Sequence, residues 1–210
     1  MRIRVKYQKG VPLRFTSALD IQQIWERTLR RSGISIVYSQ GFHPQPKIQL
    51  GLPLPLGFIS DEEFVDIWLQ GEDDINPLPK RIALNLPDGL TITSVVEIDP
   101  IQKPLVTQIT TSEYLVRFWD EKIDIADLNK NISHLLEQKE VLRKKRNNKE
   151  YDLRPLIFDL ASIPEDQSHQ GYLLSMKLSS AQNRMGRADD VMSALGFSIN
   201  QYLVKRLLSY

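Results

Sequence analysis

The chain has 210 residues, of which 41% are hydrophobic and 25% are charged. This composition is typical of a globular protein, and the length suits one large domain or two small ones. The absence of cysteine excludes disulfides, thiolate metal sites and cysteine nucleophiles. No apolar run reaches the roughly 18 residues that a membrane helix needs, and residues 1–10 do not resemble a signal peptide. We therefore expect a soluble cytoplasmic protein with no contact to a membrane.

The net charge of +1 conceals an uneven distribution along the chain. Residues 1–50 carry a net charge of +7, residues 51–130 a net charge of −9, and residues 131–210 a net charge of +3. Two different partners would balance the basic first block: a nucleic acid, or the acidic middle of the same chain. Charge alone does not choose between them.

The first hundred residues predict the element order β-α-β-β-α-β. Ile3, Val5 and Tyr7 alternate with cationic residues, which is the period of a half-buried strand. Further apolar spacings predict two helices, one capped by Ser17 and closed by Gly33, the other starting at Pro77. The predicted strands of this half span residues 2–7, 34–38, 62–69 and 90–98.

The same order is predicted again after a linker over residues 100–112, which holds two prolines and lacks amphipathic periodicity. The predicted elements of the second half are strands over 113–119, 151–160, 171–179 and 201–209, and helices over 126–140 and 187–196. The sequence thus predicts an α+β protein with two ferredoxin-like units, residues 1–99 and 113–210, the first with a long loop rich in proline and glycine.

A distinctive signature runs from residue 12 to residue 69. It reads PLRFTSALDIQQIWERTLRRSG, then YSQGFHPQPKIQLGLPLPLG, then DEEFVDI. This stretch closely resembles the radical SAM-linked protein family, a bacterial domain of unknown function found beside or fused to radical SAM proteins. The resemblance continues faintly through LNLPDGL (84–90), KEYDLRPLI (149–157) and RADDVMSALG (187–196). It implies a radical SAM protein as partner, because this chain has no cysteine and is not itself such an enzyme.

The chain departs from the family pattern at both of the usual histidines. The pattern Ser-His-Leu-Asp has Ala18 at its second position here, and Gly-Phe-Asn-Pro-His-Pro has His43 and Gln45 at its third and fifth positions. A metal site or an imidazole base is therefore not carried over from the family. We expect no metal, no cofactor and no catalytic residue, since the common nucleotide-binding and hydrolase motifs are also missing.

Clusters of basic residues make the case for nucleic acid. One cluster shares a helical face near the end of the first predicted helix, where it would also offset the helix dipole. Another shares one face of the first strand, and cations on an open sheet face suit single-stranded RNA. A third, residues 143–149, would extend this track or form a solvated turn. The predicted nucleic-acid-binding residues are Arg2, Arg4, Lys6, Arg27, Arg30, Arg31 and Lys47.

The loop over residues 39–47 is the predicted contact surface for a partner or ligand. Prolines hold such a loop in a defined shape, and glycines allow close backbone approach. We expect the Phe42 ring to be buried as an anchor, with His43 and Lys47 at least partly exposed. The alternative is a structural arch that packs the leucines of residues 52–56 into the core. The predicted loop contacts are Ser39, Gly41, Phe42, His43, Pro44 and Pro46.

Three functions follow from these patterns. The leading one is a non-catalytic accessory module that binds RNA and acts with a radical SAM partner. The second is an RNA-processing factor of the endoribonuclease type, by analogy with other tandem ferredoxin-like proteins. The third is a protein–protein adaptor. Salt dependence separates the two functions that bind RNA from the adaptor, because phosphate contacts release counterions.

Overall fold

The structure is a computed structural model and describes residues 1–71, 74–119, 123–144, 148–164 and 171–209. The chain divides into two compact units, Met1–Ile109 and Thr110–Tyr210. Each unit has an antiparallel sheet with a few helices, so the fold is α+β. The first unit extends past residue 99, the end predicted from the sequence, because a short helix within residues 100–112 belongs to it.

Four strands of the first unit lie in the order β2-β3-β1-β4, and all neighbours are antiparallel. The elements are β1 (Arg2–Lys9), α1 (Ala18–Arg31), β2 (Ile48–Leu50), β3 (Ile59–Trp68), α2 (Leu78–Ala83), β4 (Leu90–Ile98) and α3 (Leu105–Gln108).

The second strand of this unit differs from the prediction. Residues 34–38 contribute only isolated bridges, Ile36 to Leu69 and Tyr38 to Pro46, and the strand proper comes after the loop. Proline has no N–H to donate, so Pro44 and Pro46 interrupt any continuous ladder through this region.

The core of the first unit lies between the sheet and α1. Ile3, Val5 and Tyr7 point to this side, as their alternation predicts, and all three are buried. Trp25 of α1 meets Tyr7 edge-on, with ring centroids 5.1 Å apart. Ser17 caps the helix by accepting a hydrogen bond from the Asp20 N–H at 3.2 Å. Burial of each large apolar side chain contributes about 1.5–3 kcal/mol.

A buried ion-pair network occupies the other side of β1. Asp66 of β3 is 0% exposed and accepts hydrogen bonds from Arg2 at 2.7 Å and from Arg4 at 2.8 and 3.0 Å. Arg2 also donates to the carbonyl of Gln102 at 2.6 Å, and its guanidinium lies 4.5 Å from the centre of the Trp68 ring. The same guanidinium thereby ties the chain after β4 to the sheet.

This network corrects the prediction that the cations of β1 line an open face. Arg2 is 2% exposed, and Arg4 is mostly buried. Lys6 is more exposed but pairs with Glu62. The reason is that β3 supplies Asp66, which pairs with both Arg2 and Arg4, and Glu62, which pairs with Lys6, so the acidic middle of the chain neutralises part of its basic first block.

Removal of the Asp66 charge should destabilise the first unit strongly. In the variant Asp66→Asn two guanidiniums lose their counter-charge, one of them fully buried, and we expect a loss of about 3 kcal/mol or more in the free energy of unfolding. Urea unfolding measures the loss. As a matched control, Glu150→Gln removes one charge from an exposed pair with Lys144 at 3.8 Å and should cost less than about 1 kcal/mol. Equal effects of the two variants would contradict the assignment.

The main sheet of the second unit has the strand order β8-β9-β5-β11, again antiparallel. A short β10 pairs with the end of β9, and β6 and β7 form a separate hairpin. The elements are β5 (Thr111–Phe118), α4 (Ile125–Glu137), β6 (Leu142–Lys144), β7 (Glu150–Asp152), β8 (Ile157–Ser162), β9 (Tyr172–Ala181), β10 (Arg184–Met185), α5 (Ala188–Ala194) and β11 (Tyr202–Ser209).

One predicted strand of this unit is split. The pattern over residues 151–160 predicts a single strand, but a 3-10 turn at Arg154–Leu156 separates β7 from β8. Pro155 lies in this turn, and its missing N–H explains the interruption. Residues 145–147 of the predicted basic stretch, and His169, lie outside the described residues. Among the helices that the structure describes, none is long and apolar enough to cross a membrane.

Candidate functional site

The loop over residues 39–45 is closed at its base by backbone hydrogen bonds. The N–H of Ser39 donates to the carbonyl of Gln45 at 2.8 Å, and the N–H of Gln45 donates to the Ser39 hydroxyl at 2.9 Å. The N–H of Lys47 donates to the carbonyl of Val37 at 2.8 Å. Gly41 has a φ of +142°, which side chains rarely allow, so the tip of the loop requires glycine. The loop has a defined shape without help from the core.

Tyr38 joins this loop to α1. Its hydroxyl donates to the Glu26 carboxylate at 3.1 Å. Partial burial raises the pKa of Tyr38, and the hydrogen bond to Glu26 raises it further. Arg30 lies one turn after Glu26 on α1, and its positive charge acts on the pKa of the same phenol in the opposite direction. The loop and the second half of α1 therefore form one continuous surface.

Phe42 corrects the expectation of a buried anchor, because its ring is fully exposed at the tip of the loop. Hydrogen bonds at the base hold the loop in place, so no ring has to be buried for that purpose. His43 and Lys47 are exposed, as expected, and so is Pro44, whereas Pro46 is half-buried at the base. A fully exposed phenylalanine on an ordered loop has no role in packing.

Truncation of the exposed ring should leave stability unchanged. We expect Phe42→Ala to alter the melting temperature by less than a few degrees, because the ring buries no area in the folded chain. Phe58→Ala is the matched control, since Phe58 is 2% exposed and its loss should cost about 3–5 kcal/mol. Thermal unfolding of both variants checks the comparison. Strong destabilisation by Phe42→Ala would show that the ring packs in solution.

The basic residues of this surface differ in how far they are engaged. Arg27, Arg30 and Lys47 are exposed and make no ion pair with any described residue. Arg31 is also exposed, but its guanidinium donates to the carbonyl of Asn85 at 2.7 Å and so ties α1 to the end of α2. The sequence pattern treats these four cations alike. The structure shows that Arg31 is engaged by a carbonyl, whereas the other three form no ion pair with a described residue.

Two of the three leucines that follow the loop have the structural role considered as the alternative. Leu52 and Leu54 are buried, whereas Leu56 is about half exposed. The chain after Lys47 therefore contributes side chains to the core and forms the scaffold of this region, whereas the loop before it protrudes.

Two buried charged residues beside this scaffold were not anticipated from the sequence. Lys9 and Glu63 line a cavity of about 10 Å³, room for one water molecule. The Lys9 ammonium donates to the carbonyl of Thr16 at 3.1 Å. At this size the cavity is a structural feature of the first unit. The alternating pattern of β1, which continues to residue 9, is the signal that places Lys9 on the core side.

No metal centre is formed by the part of the chain that the structure describes, because no three His, Asp or Glu side chains are placed together. His43 and His134 are exposed on different elements. Among the described residues none forms a hydrogen bond with the His43 ring, and its main-chain carbonyl accepts one from the Gln45 side-chain amide at 3.4 Å. The loop surface thus offers exposed aromatic, imidazole and basic side chains.

The second unit brings together two of the three stretches in which the family resemblance is faint, residues 149–157 and 187–196. The Tyr151 hydroxyl donates to the Asp190 carboxylate, which lies in the first turn of α5. Arg187 pairs with Asp189 through hydrogen bonds of 2.6 and 3.0 Å. Burial raises the pKa of Tyr151, and the hydrogen bond to Asp190 adds to the shift. Burial and the negative charges of α5 raise the pKa of Tyr202 to about 12.

The stabilising contribution of the Tyr151 hydrogen bond should be lost as the pH becomes alkaline. Below its ordinary pKa of 10.0 the phenol is protonated in both the folded and the unfolded chain, so the bond contributes in full. Above it the unfolded chain releases the proton while the folded chain keeps it, and the free energy of unfolding falls.

The variant Tyr151→Phe tests this contribution. We expect wild type to be more stable than the variant by about 1–2 kcal/mol near neutral pH. The difference should shrink as the pH rises past the ordinary pKa. Urea unfolding at a series of pH values measures it, and a difference that stays constant to about pH 11 would contradict the account.

The fold and the site define a class: an α+β chain of two units whose first unit presents an ordered loop with exposed aromatic and basic side chains. The chain belongs to the family described as "Uncharacterized protein conserved in bacteria (DUF2344)", which matches residues 2–187. No curated protein matches the chain.

Two solved structures show a distant likeness to this chain. One is a chain of a Cbf5-Nop10-Gar1 complex, with 9% identity and a TM-score of 0.49. The match covers 98% of this chain and 48% of that one, so this chain spans about half its length. The other is a chain assigned provisionally as a dyp-type peroxidase protein from Shewanella oneidensis, with 10% identity, coverage of 98% and 90%, and a TM-score of 0.22. Both scores are below 0.5, so neither carries an argument here.

Proposed function

We propose that this chain is a non-catalytic module that binds single-stranded RNA and acts with a radical SAM protein. The binding site is the loop–helix surface, defined as Arg27, Arg30, Phe42, His43 and Lys47. One observation carries the proposal: the Phe42 ring is fully exposed on a closed loop whose base is joined to α1, and the exposed cations of α1 and of the loop base form no ion pair in the described part of the chain.

The aromatic side chain supplies the first part of the recognition. A phenylalanine ring in water is an unfavourable surface, and a nucleobase that stacks on it removes apolar area from water. Stacking of one base on an aromatic side chain contributes about 1–3 kcal/mol, and it tolerates any base sequence. Bases are available for such stacking in single strands and not within a duplex. Phe42 therefore favours a single-stranded partner.

The cations supply the second part. Arg27 and Arg30 lie one turn apart on α1, and Lys47 lies at the other end of the loop. An ion pair within the chain would have to be broken before a phosphate could bind, and none of these three side chains has one among the described residues. Each phosphate contact releases condensed counterions and makes the affinity depend on salt. The cations of β1 are excluded from this role by their carboxylate partners.

The strand order supports a finer description of the fold. Both units have the order 2-3-1-4 when their four main strands are counted along each unit, with the first helix after strand one. We interpret this as a tandem of ferredoxin-like units. RNA-binding modules with four-stranded sheets often stack bases on the open sheet face. Here the Arg2–Asp66–Arg4 network lies along that side of β1, which favours the loop–helix surface instead.

Support for a protein partner comes from a neighbouring part of the signature. The resemblance of residues 12–69 points to a radical SAM protein. Phe15, Leu19 and Leu56, which lie in this stretch, are exposed apolar side chains, and exposed apolar groups suit protein contacts. The same observation favours the adaptor function as the second candidate. No observation on the described residues favours the endoribonuclease function, because no acid or base forms a hydrogen bond with the His43 imidazole.

Charge reversal on the loop–helix surface tests the RNA proposal. We expect the triple variant Arg27→Glu, Arg30→Glu, Lys47→Glu to bind labelled single-stranded RNA at least tenfold more weakly in fluorescence anisotropy. The salt slope should decrease by about 0.7 for each phosphate that the variant no longer neutralises. The matched control reverses three exposed lysines elsewhere, Lys80, Lys103 and Lys130, and should retain most of the affinity. A wild type without salt-sensitive binding, or an equal weakening in the control, would refute the proposal.

Phe42→Ala separates stacking from charge in the same assay. The affinity should fall by about fivefold or more, as expected when a base has no ring to stack on. The salt slope should stay the same, because every phosphate keeps its cation. An affinity equal to that of wild type would show that the exposed ring takes no part in binding.

A further inference from the structure

A cleft of about 170 Å³ lies in the second unit, between the end of the β6–β7 hairpin and the β9–β10 turn. It is separate in sequence from the loop–helix surface and shares no residue with it. One wall comes from residues 151–156 and the other from the turn at residues 183–185. Each wall contains both apolar and hydrogen-bonding side chains, and small-molecule sites combine the same two kinds of group.

The walls of this cleft are held in place by contacts behind them. The Tyr151 ring is fixed because its hydroxyl donates to Asp190 of α5. The opposite wall is fixed where the chain after β10 passes Leu156: a Cβ at Gly186 would lie 3.1 Å from the Cβ of Leu156. The carbonyl of Arg184 also accepts a hydrogen bond from the Ser179 hydroxyl. A preorganised site loses little entropy when a ligand binds.

Some polar side chains at the mouth of the cleft form hydrogen bonds within the protein, whereas others form none with a described residue. The Asp152 carboxylate accepts hydrogen bonds from the N–H groups of Val141 at 2.8 Å and Arg154 at 3.0 Å, so it is engaged in the scaffold. The side chains of Asn183 and Arg184 make no hydrogen bond or ion pair with any described residue, and both are exposed. Met185 beside them is exposed although it is apolar. None of these three side chains belongs to the buried core.

We propose that this cleft binds one nucleotide, either free or as one unit of an RNA strand. The base lies against the Tyr151 ring with Met185 on its other side, because aromatic rings and thioethers both pack well on flat π-systems. The Asn183 amide carries a donor and an acceptor and pairs with the edge of the base. The Arg184 guanidinium binds the phosphate through paired N–H groups. This site goes beyond the loop–helix surface and does not depend on it.

Methionine methyl NMR on the full chain tests the site directly. The chain has four methionines, and only Met185 lines the cleft. Titration with uridine and adenosine 5′-monophosphate should move the Met185 methyl signal upfield, through the ring current of a stacked base, with a Kd of about 1 mM or tighter. Ribose 5-phosphate, which has no base, should produce no such shift. A short single-stranded RNA is titrated in parallel to show whether the nucleotide is bound free or within a strand.

Variants decide the outcome. Arg184→Ala should weaken nucleotide binding at least tenfold, and Asn183→Ala should reduce it and lessen any preference between the two bases. The triple charge reversal on the loop–helix surface should leave the Met185 shift with free nucleotides unchanged, so failure of one proposal is distinguishable from failure of the other. An absent Met185 shift, a shift that persists in Arg184→Ala, or an equal shift with ribose 5-phosphate would each overturn the assignment.

Discussion

The buried carboxylate of Asp66 is the interaction on which the first unit depends. It compensates two guanidiniums on β1, and one of them, Arg2, reaches on to the chain after β4. A single acidic side chain thus couples β3, β1 and the end of β4. A buried charge is tolerated only when it is paired and hydrogen-bonded. This network therefore constrains which strands pair with one another. The apolar packing on the opposite side of the sheet adds a second constraint.

The same constraint determines where the first unit can bind a partner. Cations that neutralise internal carboxylates would have to break their own pairs to bind phosphates, and for this reason we place the proposed RNA site away from β1, the most basic strand of the chain. Binding groups are left on α1 and on the loop, where Arg27, Arg30 and Lys47 face solvent. The loop keeps its shape through backbone hydrogen bonds, and this leaves the Phe42 ring exposed to a partner.

In the second unit, too, the side chains that stabilise the fold differ from those that are available for a ligand. Tyr151, Arg187 and the two aspartates of α5 form a polar cluster that positions the wall of the cleft. Groups without such a structural role, Asn183 and Arg184, remain at its mouth. In both units the side chains that form hydrogen bonds and ion pairs within the protein stabilise the fold. The exposed side chains that have no such contact in the described structure define the proposed binding surfaces.

Features that depend on near neighbours in the chain could be predicted from the residues alone: the alternation of β1, the capped helix α1, the family signature and the exposed loop. Periodicity shows which side chains share a face, but it does not show what lies opposite that face. The three-dimensional fold was needed to show that Arg2 is buried against Asp66, 64 residues away, that Tyr151 meets Asp190, 39 residues away, and that the Phe42 ring is fully exposed. The two pairings depend on which distant segments meet, and the exposure of Phe42 depends on what packs around the loop. A local pattern of residues specifies neither.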